Sequence, residues 1–129
     1  MAENGVRFLA LNREEAKQVF SKKTPPELNA LIGTLWGNDE RRSNQRNLQC
    51  GESAAAYSTL IESQVALDAS AQSLLIRGGR LLPSLPGEEV YLLRPDMIGP
   101  LSINANSIEH LGPFLVGAAS RGEAIIIVY

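Results

Sequence analysis

The chain has 129 residues, 44% of them hydrophobic and 20% charged. That size and balance fit a single domain over residues 1–129, with one core and no room for two. Fourteen Asp and Glu against twelve Lys and Arg leave a net charge of -2, so no overall field draws the protein to nucleic acid or anionic lipid. One cysteine, Cys50, cannot form an intramolecular disulfide, which points to a reducing, cytoplasmic setting. The start MAENGVRFLALNREEAK lacks the charged opening and long apolar run of a secretory signal, and no window approaches the ~20 apolar residues of a membrane span.

VRFLAL, residues 6–11, is short and rich in β-formers and predicts a strand. Asn12 and Glu15 form a capping box, in which each side chain satisfies the other's backbone N–H, so a helix is expected to about Ser21 with Ala16, Val19 and Phe20 inward. Thr24, Pro25 and Glu27 open a second helix by the same chemistry, with proline where its missing donor costs nothing. Leu28, Leu31, Ile32, Leu35 and Trp36 then draw an apolar stripe at helical spacing, which makes Trp36 a packing residue and Gly37 a left-handed stop.

Residues 38–50 read as a near-neutral polar connector. Beyond it, Gly51–Leu67 reads as a helix with Ala54, Tyr57, Ile61 and Val65 on one face, and a short helix capped by Asp68 or Ser70 ends at Gly78-Gly79. RLLPSLPG is a connection by its two prolines and glycine. EEVYLLR, residues 88–94, is a strand stopped by Pro95. A helix is expected from Asn106, capped with Glu109 and burying Ile108, Leu111, Leu115, Ala118 and Ala119. Pro113 requires it either to bend or to begin near Gly112. Gly122 closes it, and AIIIVY is a final strand so apolar that both its faces must be covered. The expected fold is α/β or α+β: a small mixed sheet with the first and last strands side by side near its centre, packed by about four helices.

Few chemistries are open to these residues. His110 is the only histidine and no G-x-S-x-G elbow accompanies it, so a catalytic triad is not expected. Cys50 and His110 together cannot supply a structural zinc site, and the paired acids Glu14-Glu15, Asp39-Glu40 and Glu88-Glu89 point in divergent directions as neighbours do. IRGGRLLP lacks the spacing of a phosphate loop and reads as a turn. Cys50 has no cation beside it in sequence and reads as an inert thiol. No catalytic residue, metal or cofactor is therefore assigned.

The opening GVRFLALNREEAKQVF and the close IEHLGPFLVGAASRGEAIIIVY resemble the ends of the YfbM-like family of small bacterial proteins. The resemblance implies a small cytoplasmic α/β domain without a settled activity, some members of which sit in toxin and immunity gene neighbourhoods. The family's Trp followed shortly by Leu-His is not reproduced after Trp36, where this chain has GNDERR, so no site residue is carried over.

A non-enzymatic protein-binding module is the leading expectation, in the form of an immunity protein or antitoxin that inhibits a partner toxin. Its partner-binding residues would be Asp39, Glu40, Arg41, Arg42 and Arg46, because a mixed-charge, arginine-rich segment suits polar protein recognition and a long connector is a usual place for function. One alternative is a small enzyme or ligand-binding domain with a pocket near the C-terminal elements, using Arg94, Glu109 and His110. Another is a structural subunit in which AIIIVY pairs across chains.

Overall fold

Ala124–Val128 is the middle strand of the fold, and every one of its five residues is buried. In the computed structural model, which describes residues 5–50, 53–63, 69–104 and 110–129, the described elements run in this order. They are β1 (Val6–Leu11), α1 (Arg13–Ser21), α2 (Pro25–Trp36), α3 (Asp39–Ser43), β2 (Asn47–Cys50), α4 (Ala54–Glu62), α5 (Ala69–Leu75), β3 (Arg80–Leu81), β4 (Val90–Leu93), α6 (Pro95–Asn104), α7 (Leu111–Arg121) and β5 (Ala124–Val128). The strands form one sheet in the order β2-β1-β5-β4-β3. All four pairings are antiparallel, so the fold is α+β and the sheet is not mixed.

The expected single core is divided by the sheet: alternation along the strands builds two, one on each face. Val6, Phe8, Ala10, Leu93, Ile125 and Ile127 face one way, against Tyr57 and Ile61 of α4, Leu75 of α5, Ile98 and Leu101 of α6, and Leu111, Phe114 and Leu115 of α7. Leu9, Leu11, Val90, Leu92, Ile126 and Val128 face the other way, against Val19 of α1 and Leu28, Ile32 and Leu35 of α2. Helices therefore cover both faces, which is what the uniformly apolar last strand requires. Because β5 is flanked by β1 and β4, it has no free edge with which to pair across chains.

The Asn12–Glu15 box forms as expected, with Glu15 N–H donating to Asn12 Oδ1 at 2.8 Å and Asn12 N–H to Glu15 Oε1 at 3.0 Å. Thr24 accepts from the Glu27 N–H, while the Glu27 carboxylate takes the Thr24 hydroxyl and not the backbone N–H of a full box. Phe20 is not inward but 46% exposed. Gly37 is right-handed, at φ -79°, because Asn38 follows at once as the cap of α3 and no left-handed exit is needed.

Three segments differ from expectation. The connector 38–50 is folded, as α3 and β2. RLLPSLPG contributes β3, a two-residue edge strand on β4. Pro95 does stop β4, but it also starts α6, a helix that two prolines and a glycine conceal in sequence. Pro95 holds the first helical position, where proline is preorganised, and full burial of Ile98 and Leu101 offsets the interruption at Pro100. With α3 and α6 the described helices number seven, not about four.

Helix α7 begins at Leu111, so Pro113 falls in its first turn, where N–H groups have no helical acceptor. Gly122 ends it in the left-handed conformation, at φ 66°. The expected cap at Asn106 and Glu109, the face residue Val65 and the cap residue Asp68 lie outside the described residues.

Candidate functional site

The short helix α3 is held by one side chain. Arg41 is only 5% exposed, and its Nη1 donates to Glu15 Oε2 at 2.5 Å, its Nε to Asn47 Oδ1 at 3.1 Å and its Nη2 to the Ala10 carbonyl. Asn47 in turn donates to the carbonyls of Leu35 and Trp36, at 3.0 and 3.2 Å. The guanidinium thus ties α3 to the cap of α1, the end of β1, the start of β2 and the end of α2. A planar group with five donors suits such a junction, since lysine would reach only part of it.

Of the five residues expected to meet a partner, two are directed into the fold. Arg41 is the anchor just described. Arg46 donates to Glu123 Oε2 at 3.1 Å, and Glu123, 4% exposed, also accepts from Arg121 Nε at 2.6 Å. Asp39, Glu40 and Arg42 stay on the surface, with Asp39 and Arg42 in a loose pair at 3.9 Å and Arg42 also donating to the Trp36 carbonyl. Trp36 itself is half-buried against the α2 core, with the Arg7 guanidinium 5.7 Å from its ring centre.

Arg42 forms one wall of a cleft of about 310 Å³ that runs between α3, β2 and the start of α7. Its opposite wall is His110, Pro113 and Phe114, and its floor includes Asn47 and Leu48. Gln45 and His110, which border it from two loops, both hold left-handed backbone, at φ 56° and 65°. Non-glycine residues adopt positive φ uncommonly, so two of the lining residues sit on constrained backbone. The cleft lies beside β2, which is an edge strand with β1 on one side only.

His110 and Arg94 do not come together. His110 borders the α3–β2–α7 cleft, whereas Arg94 pairs with Asp96 at 3.3 Å and borders a separate cleft by α1. Glu109 lies outside the described residues. No cluster of three or more His, Cys, Asp or Glu that could hold a metal occurs among the described residues. Cys50 is buried, and burial pushes its thiol pKa up, which disfavours the reactive thiolate.

A second polar cluster closes the far side of the sheet. Arg77 Nε donates to Glu89 Oε2 at 3.1 Å, the Tyr91 hydroxyl donates to Glu89 Oε1 at 2.6 Å, and the Arg77 guanidinium lies 4.6 Å from the Tyr129 ring centre. The Tyr91 hydrogen bond, followed by that from Arg77, holds the Glu89 carboxyl below its ordinary range, and the same bond raises the Tyr91 phenol. A depressed carboxyl pKa contributes stability above the ordinary Glu range of about 4 to 5, and that contribution fades as pH falls through the lower folded value. Tyr91→Phe is expected to move the Glu89 midpoint up toward the ordinary value, as read by an NMR pH titration of its side-chain carboxyl carbon. An unchanged midpoint would show that Arg77 alone sets it.

Several of these partners carry no signal in sequence. Glu15 is recognisable as a cap, but its second role as counter-ion to Arg41 joins residues 26 apart. The cleft at α1 was within reach, because Arg13, Ala16, Lys17 and Phe20 recur at i, i+3, i+4 and i+7 and so share one helical side.

The fold and the site together define an antiparallel α+β domain with helices on both faces and a cleft of mixed polar and apolar lining at one sheet edge. Comparison with protein-family models, curated proteins and solved structures finds no match to this chain. No described helix is long and apolar enough to cross a membrane.

Proposed function

We propose that this protein is a non-enzymatic protein-binding module whose partner docks along the edge formed by α3, β2 and the start of α7. One observation carries the reading: a buried arginine fixes a five-residue helix so that Asp39, Glu40 and Arg42 face outward at fixed positions, with Arg42 on the cleft. A short exposed helix has little stability of its own, so this anchoring prepays the ordering that binding would otherwise require. Among the described residues β2 is an edge strand, with β1 on one side only, and sheet edges are what extended partner segments pair with.

The narrower form of the proposal is an immunity protein or antitoxin that covers a toxin's active site. It rests on the resemblance of the two chain ends to the YfbM-like proteins. Recovery of one stoichiometric partner from the native host by tagged pull-down, with identification by mass spectrometry, tests both forms. The combined substitutions Asp39→Lys, Glu40→Lys and Arg42→Glu are expected to weaken that complex tenfold or more while leaving the thermal melt unchanged. Retention of full affinity by the triple variant would place the partner elsewhere, and failure to recover any partner would defeat the reading.

A further inference from the structure

On the sheet face covered by α1 and α2, a cleft of about 360 Å³ opens where α1 crosses the ends of the central strands. Its floor is apolar, made by Leu11, Leu92 and Ala124 with Pro95 at the rim. One side of α1 forms the wall, through Arg13, Ala16, Lys17 and Phe20. Phe20 is one of the few large apolar side chains left in solvent, at 46% exposed, and its ring borders the cleft.

The charges that line this apolar floor are of one sign. Arg13, Lys17 and Arg94 line it, Arg80 stands with its guanidinium 5.7 Å from the Phe20 ring centre, and no Asp or Glu lines it. Two acids lie close by, Glu14 at 3.9 Å from Lys17 and Asp96 at 3.3 Å from Arg94, both largely exposed. Four cations therefore meet two acids, on a chain whose net charge is -2. Arg13 makes no ion pair with any described residue.

We propose that this cleft binds a small amphipathic organic anion, with an apolar body and one carboxylate. The volume stands at the lower end of the ~300–1,000 Å³ usual for small-molecule sites, and an apolar lining with a few charged groups is the usual composition of such sites. The apolar body covers Phe20, Leu92 and Ala124, removing exposed aromatic surface from water. The carboxylate meets the guanidinium groups of Arg13 and Arg94, whose planar forks match it bidentately. None of these residues belongs to the α3–β2–α7 edge, so this proposal and the protein-binding one stand or fall separately.

The test is a titration of the isotopically labelled native protein, followed by two-dimensional amide NMR, with three probes. Decanoate is expected to give saturable shifts at Ala16, Phe20, Gly122 and Ala124. Decyltrimethylammonium, with the same tail and opposite charge, and acetate, with the charge and no tail, are expected to leave them unmoved. Arg13→Glu combined with Arg94→Glu, both exposed positions, should weaken decanoate binding at least tenfold with no change in the thermal melt. The proposal is overturned if decanoate gives no saturable shifts, if they map away from α1, if the cationic amphiphile binds as well, or if the charge-reversed variant keeps its affinity.

Discussion

Replacing Arg41 with methionine is expected to destabilise the protein by about 3 kcal/mol, a fall of roughly 10 °C in the melting midpoint for a domain of this size. The side chain is 5% exposed and its partner Glu15 is 17% exposed, so the pair is shielded from the water that makes surface ion pairs nearly worthless. Removing the guanidinium leaves the Glu15 carboxylate with only its cap bonds, and removes donors to Asn47 and to the Ala10 carbonyl. Glu15→Gln alone should cost less, because an amide oxygen still accepts from the Asn12 N–H. The double variant should lose less than the sum of the two, which chemical denaturation of the four proteins would measure. A loss under about 0.5 kcal/mol for Arg41→Met would equate the pair with an exposed one and sink the account of α3 given above. The same substitution should weaken binding of the proposed partner although Arg41 is buried, because α3 would lose its fixed position.

Phe8→Ala is expected to cost about 4 kcal/mol, a large share of the 5–15 kcal/mol by which domains are usually stable. Phe8 is fully buried on β1 and meets Tyr57 of α4 edge-on at 5.7 Å and Phe114 of α7 at 5.9 Å. It is the point at which one strand holds two helices. Truncation leaves a cavity that three elements would have to close, in addition to the lost transfer energy and both aromatic contacts. Phe8→Leu should cost much less, near 1.5 kcal/mol, since most of the volume remains. Urea unfolding of the two variants reads the difference directly. Similar losses for both would show that shape, and not buried volume, governs this core. Because Phe114 also lines the edge cleft, the alanine variant should broaden the amide signals of α7 before it unfolds.

The candidate edge site was only partly legible in the amino-acid order. The polar run after Trp36 drew attention to Asp39, Glu40 and Arg42, which are exposed, with Arg42 lining the edge cleft, but composition could not separate them from Arg41 and Arg46, which turn inward to Glu15 and Glu123. Those acids lie on α1 and before β5, so only the folded chain brings the charges together. Composition suggested a near-neutral polar connector, yet the segment carries a cap at Asn38, a helical turn and an edge strand. Four residues of β2 become a strand because β1 stands beside them, a non-local cause that no window of sequence contains.

Local chemistry by itself determined the first strand, the Asn12–Glu15 and Thr24 helix starts, the apolar stripe of α2, the left-handed stop at Gly122 and the two-sided burial of the last strand. Each of these depends on residues within a turn or on a period of two or 3.6, so the neighbours suffice. Tertiary structure alone decided that the sheet is antiparallel throughout, that α6 survives Pro100, that Phe20 borders a cleft instead of entering the core, and that His110 and Arg94 face different clefts. Those outcomes turn on which surfaces meet after the chain closes. Packing between distant elements outweighs local preference whenever the apolar area it buries exceeds the small propensity differences among residues.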